Sequence, residues 1–271
     1  MPSRCVRKIL PPAAHPSAPL NRSRPLFVRV IVRWPAFEML FPFLSIVTLA
    51  TGAALGEDLY FPLSGLVSRF VPTSEGQMLH TELVGTDGAV GLTGLGNSMS
   101  SIRSAVLVPG AIAKISRSIF HDIWSRSAAL QELVVRYSEL MLYCAHQSAA
   151  CNALHAGRER LCTWLLRAHD LLKEEGLPFT QEVLADMIGV TRSTVTLFAH
   201  DLQNEGILQY ARGHIKVMNR PELERQACEC YRLTRRCVEG AFHSTVDQTD
   251  TLQSAHPHDE PRRICSAHNH P

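Results

Sequence analysis

The side chains best suited to chemistry lie between positions 180 and 216, where hydroxyl, amide and cationic groups recur at helical spacing. Arg192, Ser193, Thr196 and His200 would share one face of a helix, because residues three and four positions apart are neighbours there. Arginine can donate two hydrogen bonds to a guanine edge, and serine or threonine can bond base edges and phosphates. The pattern therefore predicts a polar helix face suited to nucleic acid.

Two short helices joined by a tight turn are predicted to position this face. Thr180 is a suitable N-cap for a helix over residues 181–188, and Thr191 is a suitable N-cap for a second helix from Arg192 to about Glu205. Gly189 lies between them and permits the positive φ of a sharp turn. This layout is a helix–turn–helix, in which the N-terminal residues of the second helix can enter the major groove.

A β-hairpin is predicted directly after the second helix, with strands over residues 207–210 and 214–218. It would form a wing able to touch a nucleic-acid backbone. The predicted DNA-binding residues are Thr180, Gln181, Thr191, Arg192, Ser193, Thr194, Thr196, His200, Arg212 and Lys216. For this segment taken alone, a structural helical hairpin with a solvated polar face is the alternative.

The spacing of apolar residues changes along the chain before this segment. Between Leu59 and Ile119, short β-type runs alternate with turn residues, which predicts an antiparallel sandwich or jelly roll. A long amphipathic helix follows, and a second helix is predicted over about residues 158–172. Since the long helix carries few charges, we expect a second copy of the chain to cover it, although packing on its own sheet is the alternative. The apolar face of the long helix comprises Leu130, Leu133, Val134, Tyr137, Leu140, Met141, Cys144, Ser148 and Cys151.

The first 56 residues leave several interpretations open. Residues 1–34 hold seven basic side chains and no carboxylate, and the Pro-, Ser- and Arg-rich stretch over 1–25 is typical of a loose arm. The run from Met39 to Gly56 has 18 residues without a charge, which just reaches the length of a membrane span. Buried strands, for example over residues 26–34, are the alternative to a membrane span.

Composition excludes several classes of protein. The 271 residues include 27 Lys and Arg against 25 Asp and Glu, so no strong overall field favours a polyanionic partner. The eight cysteines include no C-x-x-C pair, which predicts a reduced, cytoplasmic chain without a cofactor or metal site. Since the sequence has no P-loop, nucleophile elbow or H-E-x-x-H motif, we do not expect an enzyme.

Five segments together resemble the Crp/Fnr family of bacterial transcription regulators: Leu59–Val67, Leu83–Gly91, Ala149–His155, Trp164–Asp170 and Thr180–Val195. The resemblance spans about residues 57–235. It implies an α+β fold with a partial β jelly-roll of the cyclic-nucleotide-binding type, a long dimerisation helix and a C-terminal winged helix–turn–helix. The implied divisions are an atypical N-terminal arm (1–56), the β domain (57–126), dimerisation and connecting helices (127–173), the DNA-binding domain (174–238) and a disordered tail (239–271).

The same resemblance implies a homodimer that binds double-stranded DNA at a near-palindromic operator, with RNA polymerase and a small-molecule effector as further partners. Family members bind a cyclic nucleotide through a Gly-Glu loop and an Arg-Ser-Ala segment. Gly91, Arg103 and Ser104 match that pattern and are the candidate ligand residues. Leu92 stands where the family has its carboxylate, and an unpaired buried hydroxyl would cost about 1–3 kcal/mol, which argues against tight cyclic-nucleotide binding.

Two departures from the family shape the remaining alternatives. Only Cys5 precedes residue 144, so the N-terminal cysteine cluster of the oxygen-sensing branch is excluded. Residues 1–56 show none of the motifs with which the family completes its sensor barrel. The alternative function is therefore a ligand-sensing or interaction module whose DNA binding is impaired.

Overall fold

The structure is a computed structural model, described here over residues 40–75, 78–92, 102–172, 176–211 and 213–253. Its first part contains a short 3-10 turn, Phe41–Phe43, and six strands. The strands are β1 (Ser45–Leu49), β2 (Leu59–Pro62), β3 (Leu66–Pro72), β4 (Met78–Val84), β5 (Arg103–Val108) and β6 (Gly110–Ile115). The second part is mostly helical. It comprises α1 (Arg117–Trp124), α2 (Ala128–Leu154), α3 (Gly157–Leu172), β7 (Gly176–Leu177), α4 (Gln181–Ile188), α5 (Arg192–Asn204), β8 (Leu208–Ala211), β9 (His214–Val217), α6 (Arg220–Gln226) and α7 (Glu229–Gln253).

The six N-terminal strands form two antiparallel sheets of three strands, in the orders β1-β6-β2 and β4-β3-β5. Both sheets contribute buried apolar residues to the space between them, as expected for packed antiparallel sheets. Tyr60 and Ile112 of the first sheet pack against Val67, Val84 and Val106 of the second. This arrangement confirms the predicted partial β jelly-roll.

Helix α2 packs on its own chain through the face that the sequence predicts for a second copy. Leu130, Leu133 and Leu140 are buried in a cluster with residues of β2, β6 and α1. The Tyr137 hydroxyl donates to the Ala89 carbonyl oxygen at 2.8 Å and accepts from the Ala89 amide at 3.0 Å. This face therefore packs on its own sheet, the alternative that the sequence leaves open, because a 3–4 residue period shows that a face is buried but not against what, and association of α2 with a second copy stays a prediction.

Helix α3 lies at the centre of the molecule and carries the second part of the core. Leu161, Leu165, Leu166 and Ala168 are buried there. Their cluster extends from Leu66, Leu83 and Val108 of the second sheet to the helices and strands after residue 176. The helix predicted over about residues 158–172 is confirmed, and it joins the β domain to the C-terminal domain.

The uncharged run from Met39 to Gly56 contains a strand. Its residues 45–49 form β1, which pairs antiparallel with β6 from Ser45 opposite Lys114 to Leu49 opposite Gly110. No helix in the described part of the chain has the length and apolar character needed to cross a membrane. The membrane-span interpretation is therefore wrong for this run, whereas the predicted arm and the strands over residues 26–34 lie outside the described residues.

The last helix continues past the boundary at which the sequence predicts a disordered tail. Helix α7 runs to Gln253, so the prediction is wrong for residues 239–253. Its first half packs Cys237, Val238 and Ala241 beside α2. A polar composition indicates that a segment has little apolar surface to bury. It does not prevent a helix that has already formed from extending into that segment, because adding a residue to an existing helix is easier than starting a new one. Residues 254–271 lie outside the described part.

A buried histidine in the second sheet makes stability depend on pH. His80 is 6% exposed, its Nδ1 is hydrogen-bonded to the Ser68 hydroxyl, and burial lowers its pKa to about 4. The His80 imidazole is therefore protonated near pH 6.5 in the unfolded chain but only near pH 4 in the folded chain. The nearest ion pair, Arg69 with Glu82 at 2.9 Å, lies on the same two strands.

We expect the free energy of unfolding to fall by roughly 1–3 kcal/mol between pH 6.5 and pH 4 because of His80. Asp87 acts in the opposite direction, since burial raises its pKa to about 6. The measurement is therefore the difference between the native chain and the His80→Asn variant in urea unfolding at several pH values. The exposed His146 provides the matched control His146→Asn. A His80→Asn variant with the same pH dependence as the native chain would contradict the assignment.

Candidate nucleic-acid interface

The turn between α4 and α5 has the geometry that the sequence predicts. The Thr180 hydroxyl accepts from the Val183 amide at 3.3 Å and caps α4. Gly189 ends that helix with φ 64° and ψ 44°, a left-handed conformation in which a residue with a Cβ is strained. The Thr191 hydroxyl then accepts from the Thr194 amide at 3.3 Å and caps α5. The predicted helix–turn–helix and both helix boundaries are confirmed.

A compact apolar core holds the two helices together. Leu184 and Ile188 of α4 and Val195 and Leu202 of α5 are each at most 1% exposed. Ala185 is buried where the helices approach each other, and a small side chain at this position allows that close approach. Since all these side chains point inward, the opposite face of α5 is left to the solvent.

The solvent face of α5 carries most of the predicted reading residues. Arg192, Ser193, Thr196 and His200 are exposed there. Leu197 lies on the same helix and is 65% exposed, although it is not among the contact residues predicted from the sequence. An exposed leucine beside arginine and hydroxyl groups is the signal that could have found it, because an apolar side chain can contact the methyl group of thymine.

The hydroxyl groups at the start of α5 are partly used within the protein. Thr191 Oγ1 lies 2.9 Å from Ser193 Oγ and 2.8 Å from Thr194 Oγ1. Thr196 Oγ1 donates to Gln181 Oε1 at 2.9 Å, which links the two helices across the turn. Thr191, Thr194 and Gln181 therefore have a positioning role in the free protein, while their polar atoms lie at the exposed N-terminal end of α5.

The predicted wing is present as a two-stranded hairpin. Strands β8 and β9 pair antiparallel, with Gln209 opposite Lys216 and Ala211 opposite His214. The Tyr210 amide donates to Gln203 Oε1 at 3.2 Å, which ties the wing to α5. Lys216 and His214 are exposed, whereas the predicted contact residue Arg212 lies outside the described residues.

Charged side chains behind α5 fix its far end and the preceding turn. The Arg158 guanidinium of α3 contacts both carboxylate oxygens of Glu205 at 2.7 Å. This ion pair raises the pKa of Arg158 above its ordinary value. The Arg160 guanidinium donates to the carbonyl oxygen of Ile188 at 2.8 Å, directly before the Gly189 turn. Helix α3 therefore holds the turn of the helix–turn–helix and the C-terminal end of α5.

The connection between α2 and α3 also lies against α5. At Gly157, an added Cβ would lie 3.1 Å from Cε2 of Phe198 and 3.5 Å from Cγ1 of Val190. Phe198 belongs to α5, and Val190 belongs to the turn before it. The absence of a side chain at position 157 thus allows the connection between α2 and α3 to approach the inner side of α5 closely.

Of the predicted ligand residues, Gly91 lies beside the first sheet, whereas Arg103 and Ser104 belong to the second. Gly91 has φ 96°, and a Cβ there would lie 2.8 Å from the carbonyl oxygen of Asp58, next to β2. Arg103 and Ser104 belong to β5, where Arg103 pairs with Phe70 of β3. The chain that connects them, residues 93–101, lies outside the described part. The ligand role of these three residues remains a prediction.

A separate cavity of about 330 Å³ lies between β4, α3 and α7. Arg167, Asp170 and Tyr231 contribute charged and hydroxyl groups to its wall, and Asp87 lies beside them. The Tyr231 hydroxyl donates to Asp170 Oδ2 at 2.8 Å and accepts from Arg220 Nη2 at 2.7 Å. This wall joins the β domain to the C-terminal helices.

Comparison with known proteins agrees with this geometry. Residues 159–226 match the model of the Crp-like helix-turn-helix domain. Comparison with curated protein sequences gives no significant match. Three solved structures are similar over most of their length, and each covers about two thirds of this chain or slightly more.

The first of these structures is a transcriptional regulator of the Crp/Fnr family from Eubacterium rectale, with 16% identity, a TM-score of 0.59, and coverage of 70% of this chain and 93% of that one. FixK2 from Bradyrhizobium japonicum has 17% identity and a TM-score of 0.59, and covers 68% of this chain and 98% of its own. A Crp/Fnr regulator from Thermus thermophilus has 21% identity and a TM-score of 0.58, with the same coverages of 68% and 98%. The chain therefore has the fold of the Crp/Fnr transcription regulators and carries a Crp-like helix-turn-helix domain at its C-terminal side.

Proposed function

We propose that the chain is a homodimeric, sequence-specific DNA-binding regulator of transcription and not an enzyme. One observation carries the proposal: α5 presents an exposed face with Arg192, Ser193 and Thr196 at its N-terminal end, on a packed helix–turn–helix with a wing. A recognition helix reads base edges with its N-terminal residues. The similarity to the Crp-like helix-turn-helix domain supports the same role.

Each proposed contact follows from side-chain chemistry. Arg192 would donate two hydrogen bonds to a guanine, and Leu197 would contact a thymine methyl group. Ser193, Thr196 and His200 would bond neighbouring base edges or phosphates. The remaining predicted residues would bind the backbone: Thr180, Gln181, Thr191 and Thr194 near the helix N-termini, and Arg212 and Lys216 on the wing.

The proposed dimer uses a stripe on α2 that the described part of the chain leaves exposed. Val135 and Leu142 are 56% and 57% exposed and stand seven residues apart, which is the repeat of a coiled-coil seam. Ala145 and Ala149 continue the exposed stripe towards the end of the helix and would allow two helices to approach closely. Two copies of α5 would then reach half-sites about 34–36 Å apart.

The domains take corresponding roles in this proposal. The sensor-type β domain comprises residues 57–126 together with strand β1, the dimerisation and connecting helices comprise residues 127–173, and the DNA-binding domain comprises residues 174–238. A small-molecule effector and RNA polymerase are the further partners that the family resemblance implies, and the cytoplasm is the expected location.

Selection from a library of random double-stranded DNA tests the proposal directly. We expect the full-length protein to enrich a near-palindrome whose half-sites lie one helical turn apart, about 10–10.5 base pairs between centres. Light scattering on the selected complex should give two chains per duplex. A random pool after repeated selection at low salt would refute sequence-specific binding.

The cavity lined by Arg167 and Asp170 favours a second candidate function, the sensing of a small molecule. If DNA selection fails while a small polar compound raises the melting temperature of the chain, the ligand-sensing module becomes the better interpretation. A ligand that binds only the folded state stabilises it by an amount that grows with the logarithm of the ligand concentration relative to its Kd.

Lys216 provides a test of the wing. If its ammonium group binds a phosphate, the Lys216→Ala variant should bind every DNA sequence more weakly, and the slope of log K against log salt should become shallower by about 1 per protomer. The matched control is Gln209→Ala, because Gln209 is exposed, uncharged and directly opposite Lys216 in the hairpin. Fluorescence anisotropy between low and high salt measures both slopes, and equal slopes for the two variants would exclude a phosphate contact at Lys216.

A further inference from the structure

Four soft metal ligands converge at a place that the DNA-binding proposal does not use. Cys151 and His155 come from the C-terminal end of α2, and Cys228 and Cys230 come from the start of α7. Their ligand atoms all lie within 4.8 Å of one another. These four residues are called the Cys–His cluster below.

Local structure explains why each pair of ligands points to one place. Cys151 and His155 are four positions apart, and the His155 amide still bonds the Cys151 carbonyl oxygen at 3.1 Å, so both side chains leave the same face of α2. Cys228 directly precedes α7 and Cys230 lies in its first turn. The N-terminal amides of a helix stabilise negative charge, and thiolates at this position benefit from that effect.

The distances suit one tetrahedral ion. The Sγ atoms of Cys151 and Cys228 are 3.5 Å apart, and Cys230 Sγ lies 3.4 Å from His155 Nδ1. Zinc–sulfur bonds of about 2.3 Å and zinc–nitrogen bonds of about 2.0–2.1 Å place tetrahedral ligand atoms about 3.5–3.8 Å apart. The cluster therefore needs only small movements to surround a single ion.

The surroundings complete the arrangement of a metal site. His155 Nε2, on the side of the ring away from Cys230, lies 3.1 Å from the Glu229 carboxylate. A carboxylate in that position fixes the ring orientation of a ligating histidine and leaves the other nitrogen to the metal. Gln147 Nε2 donates to Cys230 Sγ at 3.0 Å, and Thr163 Oγ1 lies 3.1 Å from Cys228 Sγ. These donors stabilise thiolate sulfur.

We propose that the Cys–His cluster is a structural zinc site that clamps the end of α2 to the start of α7. Three thiolates and one imidazole make a closed, four-ligand set of the kind that holds structural zinc. Binding releases three thiol protons to solvent and leaves a site with net charge −1, since zinc brings two positive charges. A disulfide between Cys151 and Cys228 would use only two of the groups and leave Cys230 and His155 without a reason to converge.

The metal content of the full-length protein is the first test. Protein purified with a thiol reductant and without chelator should contain about one zinc per chain by plasma mass spectrometry. After chelation, Co²⁺ alone should restore one equivalent and give the intense thiolate-to-cobalt absorption and the visible bands of a tetrahedral site. Chelation should also lower the melting temperature, because the ion binds the folded chain.

Variants locate the metal. The Cys151→Ser and Cys228→Ser variants should each lose the bound zinc, whereas Cys144→Ser should keep it, since Cys144 is buried on the same helix outside the cluster. All three variants retain the C-terminal histidines, so metal bound only by the tail would not distinguish them. The Glu229→Gln variant preserves every ligand and should fold, and its zinc affinity should fall by about 10–100-fold.

Several results would overturn the zinc assignment. One is full zinc content in the Cys151→Ser/Cys228→Ser double variant. Another is iron with acid-labile sulfide in place of zinc. A third is a metal-free protein whose Cys151 and Cys228 form a disulfide in peptide mapping. None of these results bears on operator selection, so failure of the metal site and failure of the proposed DNA binding can be distinguished.

Discussion

The Leu142→Lys variant is expected to be monomeric and to bind the selected operator at least 100-fold more weakly than the native chain. Leu142 lies on the exposed stripe of α2 and is 57% exposed in the single chain, so the substitution removes little of the chain's own core. In a dimer, two lysines would face each other across the seam, where apolar residues are required. A monomer also loses the gain of about 10²–10⁴ that comes from binding two linked half-sites.

Light scattering gives the oligomeric state of this variant, and fluorescence anisotropy on the full operator and on a half-site gives its affinity. The Ala129→Lys variant is the matched control, because Ala129 is exposed on the same helix away from the stripe. We expect the control to remain a dimer. A Leu142→Lys dimer with native operator affinity would remove this stripe from the proposed interface.

The Arg192→Ala variant should lose about 1–3 kcal/mol of specific binding free energy per half-site. Arg192 is exposed in the first turn of α5, so its removal should leave the fold unchanged. The loss should be greatest for operators with the preferred base at the position read by Arg192, and the preference at that position should disappear. Competition binding with operators substituted at each position measures both effects.

Two further variants separate base reading from charge. Arg192→Lys keeps the charge but cannot make the planar, two-pronged contact, so it should retain non-specific affinity and still lose the base preference. Arg225→Ala removes one exposed cation from α6, outside the reading face, and should leave the base preference unchanged. If Arg192→Ala keeps the native preference at every position, another residue of α5 reads the operator.

The helix–turn–helix is predicted well from the sequence because its helix caps and its turn are determined by neighbouring residues. Thr180, Gly189 and Thr191 fix the caps and the turn within twelve residues, and each acts through its own backbone or that of the next few residues. The hairpin after α5 is equally local. Fold recognition of this segment therefore needs no knowledge of distant contacts.

The features that sequence reasoning misses depend on contacts between distant parts of the chain. The sequence correctly predicts that Cys151 lies on a helix face. Its partner Cys228, however, is 77 positions away, and no local spacing links the two residues. The sequence features that point to this cluster are the C-x-C spacing of Cys228 and Cys230 and the histidine four positions after Cys151. Likewise, the spacing of apolar residues in α2 does not show which face packs on the sheet and which face is available for the proposed dimer.

The close approach of Gly157 to Phe198 has a mechanical consequence. Gly157 begins α3 directly after the long helix, and a Cβ added there would lie only 3.1 Å from the ring of Phe198 on α5. A shift of the connection between α2 and α3 towards α5 would therefore meet Phe198 with little free space in between. In the proposed dimer, a change in how the two copies of α2 meet would be expected to reach α5 through this contact.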